Sequence, residues 1–203
     1  MMFRNVVMVL VSSLAIGAGP ALAQETAGPG KVELSVIPGG AVYFSQSDAT
    51  KEASFFNYDL GGALTVNFRR VAIEGEVGGS LGLSQTLNFA SSSLNSTRTP
   101  DTVSYSGNVI VPLMSRSSVV PYVTGGVGGL TLLEKPEVGL ASADTFLTGN
   151  VGGGVKWYAG RWGLRADYRF LAVKSKDEAS SFFGRDDRYG HRVYGGIIVN
   201  LVP

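Results

Sequence analysis

The sequence contains no cysteine and only one histidine, His191, among its 203 residues. Cysteine and histidine are the usual protein ligands of transition metals, so we expect no such metal site. The lack of cysteine also excludes a disulfide framework and the lipidated cysteine that anchors a lipoprotein. The glycine-rich stretches at residues 125–129 and 152–154 lead into no helix and carry no Lys-Ser/Thr pair of a phosphate-binding loop, so we expect no cofactor.

Charged residues are also scarce, at 16% of the chain, and the 17 basic and 16 acidic residues nearly cancel. They form no run of basic residues along the sequence of the kind that binds a nucleic-acid backbone, so nucleic acid is not an expected partner. Hydrophobic residues make up 44% of the chain, which is enough for a substantial core. The composition therefore predicts one folded domain.

Residues 1–23 have the three parts of a secretory signal peptide. Arg4 supplies the positive start, residues 6–16 are apolar apart from two serines, and Ala21 and Ala23 form the small-x-small pattern of a cleavage site. The apolar run is too short to span a bilayer as a helix. We therefore expect an exported protein that is cleaved after Ala23 and has a mature domain of residues 24–203.

The mature chain alternates between apolar and polar residues and never sustains helical spacing, which predicts an all-β fold. The pattern predicts eight strands, near residues 31–45, 54–68, 71–83, 101–114, 119–133, 144–158, 162–173 and 189–202. The sequence IPGG at residues 37–40 interrupts the first strand, because proline cannot donate a ladder hydrogen bond, and it predicts a bulge there.

The links between these strands alternate strictly between short and long. The short ones fall at residues 69–70, 115–118 and 159–161, and the long polar ones at residues 46–53, 84–100, 134–143 and 174–188. An antiparallel up-and-down transmembrane barrel has tight periplasmic turns at one rim and longer outer loops at the other. The links therefore favour this fold over a Greek-key sandwich.

The strands have one apolar face and one face of small, polar or charged residues. In the second strand, for example, Leu60, Leu64 and Val66 oppose Asp59 and Thr65. A soluble lipocalin-like carrier would turn the apolar face inward, but its surface would then be poor in charge. If the apolar face meets lipid, the charged residues lie in the lumen. The predicted lumen residues are Glu74, Glu76, Lys156, Arg165, Asp167, Arg169 and Arg192, with Arg69 as a further candidate.

Aromatic residues cluster at the strand ends beside the short turns. They are Phe68, Tyr122, Trp157, Tyr158 and Trp162. Aromatic side chains are enriched where a membrane protein crosses the lipid headgroups. We therefore expect these five residues to form an interfacial girdle at the periplasmic rim.

Strand sequences such as YDLGGALTVNFRRVAIEGEVGG and NVGGGVKWYAGRWGLRADYRF resemble the outer-membrane β-barrel proteins, in particular the eight-stranded transmembrane barrel of OmpA. The resemblance implies residence in the outer membrane, with outer-membrane lipid, lipopolysaccharide and the barrel assembly machinery as partners. Such barrels usually end on an aromatic residue that this machinery recognises, whereas residues 200–203 of this chain contain none.

An eight-stranded barrel encloses a space just wide enough for side chains. We therefore expect a non-enzymatic structural or surface-contact protein, with Phe182 and Phe183 of the longest charged loop as a possible contact. A small gated pore is one alternative, and a periplasmic lipocalin-like carrier is another. A lipid hydrolase would depend on His191, but the strand alternation turns this residue outward and no serine lies two positions further on.

Overall fold

The computed structural model describes residues 28–45, 53–88, 93–114, 117–134, 142–175 and 187–202. The predicted signal peptide, residues 1–23, lies outside these ranges. Ten strands are present in them: β1 Val32–Phe44, β2 Phe55–Asn67, β3 Ala72–Gly82, β4 Ser84–Asn88, β5 Ser93–Arg98, β6 Asp101–Pro112, β7 Val119–Glu134, β8 Ser142–Ala159, β9 Trp162–Val173 and β10 Arg188–Val202. None of the described residues forms a helix with the length and apolar character needed to cross a membrane.

Eight of the strands close into an antiparallel barrel in the order β1-β10-β9-β8-β7-β6-β3-β2. Each barrel strand pairs with the next barrel strand in the sequence, so β3 pairs with β6. The pairing of β1 with β10 completes the ring. No barrel strand therefore has a free edge. The predicted eight-stranded up-and-down barrel is confirmed, and its termini lie at the end that carries the short turns.

The link predicted at residues 84–100 is not simply a loop. It contains the two-stranded sheet β4–β5, in which Leu87 faces Leu94. Leu87 is buried, while Leu94 is exposed. The hairpin was missed because its serine, threonine and asparagine residues give no regular apolar alternation. Leu87 packs into the apolar cluster at the outer end of the barrel.

Alternation along each strand separates the two faces of the wall. In β3, Glu74 and Glu76 are buried, while Ile73 and Val77 are 55% and 62% exposed on the outside. Leu64 is likewise outside, on β2. A soluble carrier requires the opposite arrangement, so the lipocalin-like alternative does not fit this wall. The outer surface is apolar, and the charged residues of β3 face the interior.

The bulge predicted in β1 is present. Val36 pairs with Ile197 and Gly39 pairs with Gly195, so β1 has one residue more than β10 between these pairs. The extra residue changes the parity of the strand: Glu33 points inward before the bulge and Val42, nine positions on, points inward after it. The bulge thus allows one strand to turn a carboxylate inward near the short turns and apolar side chains inward at its outer end.

Two glycines meet backbone constraints that a larger residue would violate. Gly160 has φ +61° in the two-residue turn between β8 and β9, a conformation that favours glycine. Gly152 faces the interior, and a Cβ atom there would collide with the backbone carbonyl of Tyr168 on β9. The absence of a side chain at Gly152 leaves room in the lumen for the long charged residues.

Candidate functional site in the barrel lumen

Glu74 is the centre of the ion network that fills the middle of the lumen. Its Oε2 accepts a hydrogen bond of 2.7 Å from Nη1 of Arg165, and its Oε1 accepts one of 2.8 Å from Nη2 of Arg169. Thr65 and Asn108, on the two neighbouring strands, donate to the same carboxylate at 3.2 and 3.3 Å. All four lone-pair directions of the buried carboxylate are therefore used.

Arg165 is held from two sides. Its Nε and Nη2 donate to the two carboxylate oxygens of Asp167 at 2.8 and 3.1 Å, a bidentate arrangement. The same guanidinium reaches the hydroxyls of Tyr122 and Tyr194, each at 3.3 Å. Since Arg165 and Asp167 are two residues apart on β9, strand alternation places both in the lumen. The ion pair thus follows from local sequence, whereas its link to Glu74 requires the closed barrel.

Arg192 connects the network to β2 and β3. Its Nε donates to Asp59 Oδ2 at 2.7 Å, and its Nη1 donates to Glu76. The carbon at the centre of its guanidinium lies 4.4 Å from the ring centroid of Tyr194, whose hydroxyl donates to Glu76 at 3.0 Å. The cation–π contact and the hydrogen bonds fix the orientation of this arginine.

A second ion pair lies nearer the short turns. Lys156 Nζ donates to Glu33 Oε2 at 2.6 Å, and the hydroxyl of Tyr158 donates to Glu33 Oε1 at 2.7 Å. All three side chains are buried. This pair crosses the lumen from β8 to β1, so it ties together strands that are more than 120 residues apart in sequence.

The structure places the seven predicted lumen residues, Glu74, Glu76, Lys156, Arg165, Asp167, Arg169 and Arg192, inside the barrel, where all are buried. The further candidate Arg69 is wrong, because it lies exposed in the turn after β2. Sequence reasoning missed Glu33, Asp59 and Tyr194 as network members. Asp59 and Tyr194 lie on the polar faces of their strands, so alternation alone could have identified both. Glu33 lies in β1, where the bulge changes the register, so alternation alone does not assign Glu33 to a face.

The structure contradicts two of the five residues predicted for the aromatic girdle. Phe68, Trp157 and Trp162 are exposed on the outer wall beside the short turns. Tyr122 and Tyr158 are buried in the lumen, so their assignment to the girdle is wrong. The reason is parity: neighbouring residues on a strand point to opposite faces, and Tyr158 follows the outward Trp157.

An apolar cluster fills the outer end of the lumen. Its buried members are Val42, Phe44, Ala53, Phe55, Leu87, Leu130, Leu132, Phe146 and Val173. Arg188 covers this cluster, with its guanidinium 5.0 Å from the ring of Phe55 and a hydrogen bond to the carbonyl of Ala53. Together with the ion network, the cluster blocks the axis of the barrel. Between them lies a cavity of about 40 Å³, which is large enough for an ordered water molecule.

His191 lies on the outer wall near the outer ends of the strands. Its Nδ1 shares a hydrogen bond of 2.8 Å with the hydroxyl of Tyr168, and its ring contacts that of Phe170 edge-on at 5.6 Å. A hydrolase would need a nucleophile and an orienting acid at this imidazole. The partner of the imidazole is a tyrosine that itself faces outward, an arrangement typical of interfacial aromatic residues.

The predicted loop contact, Phe182 and Phe183, lies outside the described residues.

Across the part of the chain that the structure describes, no group of three or more histidine, cysteine or acidic residues has the geometry to hold a metal ion. The charged groups of the lumen instead neutralise one another.

Solved structures similar to this chain are outer-membrane proteins. Neisserial surface protein A, NspA, matches with a TM-score of 0.63 and 12% identity, over 84% of this chain and 97% of that chain. The N-terminal barrel domain of Pseudomonas aeruginosa OprF matches with a TM-score of 0.49 and 13% identity, over 84% and 98%. Ail of Yersinia pestis matches with a TM-score of 0.44 and 12% identity, over 84% and 99%.

No protein-family model and no curated protein sequence matches this chain. The match to NspA nevertheless extends over nearly the whole of that barrel. The chain therefore has the eight-stranded outer-membrane barrel fold.

Proposed function

We propose that this protein is an integral outer-membrane barrel that conducts no solutes and catalyses no reaction, and that serves envelope integrity or surface contact through its outer loops. One observation carries the proposal: the wall is apolar outside, while its interior is filled by paired charges and, at the outer end, by an apolar cluster. Such a wall is stable in hydrocarbon and such a lumen leaves no path for solutes.

The outer wall supports membrane residence. Large apolar side chains remain exposed on all eight barrel strands, and aromatic residues mark both ends of the wall: Phe68, Trp157 and Trp162 near the short turns, Phe56 and Tyr189 near the long loops. A water-soluble protein rarely leaves so continuous an apolar surface uncovered. Outer-membrane lipid and lipopolysaccharide are thus the proposed surroundings, and the barrel assembly machinery is the proposed route of insertion.

Cell fractionation tests the location. The protein is expected in the outer-membrane fraction, and it should stay there after washing with high salt or alkali, because its contacts with lipid are apolar rather than ionic. Recovery in the soluble periplasm would contradict the proposal and favour a carrier.

Planar-bilayer recording tests the closed lumen. Purified folded protein is expected to give no stable unitary conductance steps, because the ion pairs of Glu74 and the apolar cluster around Phe146 block the axis. A porin inserted into the same bilayer provides the positive control. Stable steps of uniform size would contradict the closed lumen and support the gated-pore alternative.

The absence of catalysis is tested at His191. Because its described partner is the outward hydroxyl of Tyr168, replacement by alanine is expected to leave the lipid A and phospholipid species of the cell unchanged. Tyr168→Phe, which removes the same hydrogen bond, is the matched control. A lipid profile that changes with His191→Ala alone would show that a hydrolase centred on this residue operates.

Surface contact is proposed for the outer loops. The β4–β5 hairpin forms part of one of them, and Phe182 and Phe183 belong to the sequence between β9 and β10. Attachment of cells to a host or abiotic surface is expected to fall when these two phenylalanines are replaced by serine. Replacing exposed Leu113 and Met114 at the opposite, periplasmic end is the control, and it should leave attachment unchanged. Equal attachment by all variants would restrict the role to envelope integrity.

A further inference from the structure

The periplasmic rim of the barrel is basic. Lys31, Arg69, Arg70 and Arg161 are exposed there, in the segment before β1, the turn between β2 and β3 and the turn between β8 and β9. The described residues of this rim, 28–31, 68–71, 113–114, 117–118, 160–161 and 201–202, include no aspartate or glutamate. The rim therefore has a positive charge, although the chain as a whole is nearly neutral.

Three of these cations surround a vestibule in the periplasmic mouth of the barrel. Lys31, Arg69 and Arg70 line this cavity of about 710 Å³, and Tyr122, Lys156 and Tyr158 lie on its inner side. It is more than ten times larger than the cavity in the middle of the lumen. The vestibule is thus a concave site that opens toward the periplasm and is closed by the ion network behind it.

The described residues do not neutralise the charges at the mouth. Within the described part of the chain, neither Lys31 nor Arg69 nor Arg70 forms an ion pair, and no carboxylate lines the vestibule. Lys156 differs, since it is bonded to buried Glu33. A concave site lined by one sign of charge concentrates the potential and attracts counter-ions. Among the described residues, its three cations have no carboxylate partner and are therefore available to a ligand.

We infer that this vestibule binds a phosphate-bearing anion. Arg69 and Arg70 both line the vestibule, and a guanidinium can donate two parallel hydrogen bonds to a phosphate. The ammonium of Lys31 adds a third cation. A phosphate group offers three strong acceptor oxygens and close to two negative charges, which matches such a set.

Two sources of phosphate have access to the mouth. Phe68 precedes Arg69 and is exposed on the outer wall, so the site adjoins the headgroups of the inner leaflet, where anionic phospholipid is one source. Soluble phosphorylated compounds of the periplasm are the other source, because the cavity opens away from the membrane. The chemistry of recognition is the same for both.

The test is calorimetric titration of the mature protein in phosphatidylcholine nanodiscs with pyrophosphate, at about 0.15 M ionic strength so that diffuse surface charge is screened. Saturable binding of one pyrophosphate per barrel is expected. The triple variant Lys31→Gln, Arg69→Gln and Arg70→Gln should weaken it by about tenfold or more, and each single variant by roughly threefold. Resistance of the barrel to unfolding in cold SDS checks that every variant is folded; if the triple variant does not fold, the single variants decide.

Arg161→Gln is the matched control, because Arg161 lies on the same rim but does not line the vestibule. It should leave the affinity within twofold of the original protein. Repeating the titration with phosphatidylglycerol in the nanodiscs distinguishes the sources: weaker apparent pyrophosphate binding identifies the lipid headgroup, and unchanged binding identifies a soluble phosphate. The absence of saturable binding, or equal losses in the Arg161 and vestibule variants, would overturn the inference.

Discussion

Replacement of Glu74 by glutamine is expected to destabilise the barrel more than any change on its surface. The substitution keeps the shape of the side chain but removes the charge that faces Arg165 at 2.7 Å and Arg169 at 2.8 Å. Arg165 retains Asp167, whereas Arg169 keeps only the longer contacts of 3.4 Å to Glu76 and 3.5 Å to Asp167. Leaving a buried charge without its partner costs about 3–5 kcal/mol, and we expect the free energy of unfolding to fall by that amount.

The assay is reversible unfolding by guanidinium chloride in phospholipid vesicles, followed by the fluorescence of Trp157 and Trp162, the two tryptophans of the chain. Arg98→Gln is the control, because its ion pair with Asp101 lies at the surface and should contribute only about 0–1 kcal/mol. The double variant of Glu74 and Arg169 should cost less than the sum of the single variants. A loss below about 1 kcal/mol for Glu74→Gln would refute the reasoning that paired charges hold the lumen together.

Two further predictions concern the wall and an outer loop. Gly152→Ala should cost about 1–3 kcal/mol in the same assay, because its Cβ would collide with the carbonyl of Tyr168, while Gly149→Ala, with nothing within 4 Å, should cost far less; equal costs would contradict the packing. The backbone N–H of Ser175 donates to Asp187 at 2.8 Å and lowers the pKa of that carboxyl below its ordinary 3.8. A lowered folded-state pKa means that this contact is present above the unfolded value and is lost as the pH falls through the folded value. The amide resonance of Ser175 should therefore titrate below pH 3.8, and a midpoint at or above it would contradict the contact.

The alternation of apolar and polar residues along each strand made the barrel fold and most lumen residues predictable from the sequence. A period of two assigns each strand residue to one face, which is why the sequence alone places Glu74 and Arg165 inside. The same rule corrects the girdle, because residue type places Tyr122 and Tyr158 at the interface whereas parity turns both side chains inward. A one-residue step reverses the face of every side chain, so parity takes precedence over the preference of tyrosine for interfaces.

The partners of the lumen charges could not be predicted from local pattern. Lys156 meets Glu33 because β8 and β1 face each other across a closed ring, and the bulge before Gly39 sets which β1 residues point inward. Such contacts depend on barrel closure and register, which periodicity within a single strand does not specify. The β4–β5 hairpin could not be predicted for a different reason. Most of its cross-strand pairs are polar, so its sequence shows little apolar alternation.

Fluorescence quenching of the two tryptophans tests most directly whether the barrel spans a membrane. Trp157 and Trp162 are 51% and 59% exposed on the outer wall near the short turns. In vesicles of phosphatidylcholine brominated close to the headgroup, their fluorescence is expected to be strongly quenched, whereas aqueous acrylamide should have little effect. Strong quenching by acrylamide with none by the brominated lipid would mean that the apolar wall faces water, and it would contradict the membrane-spanning barrel.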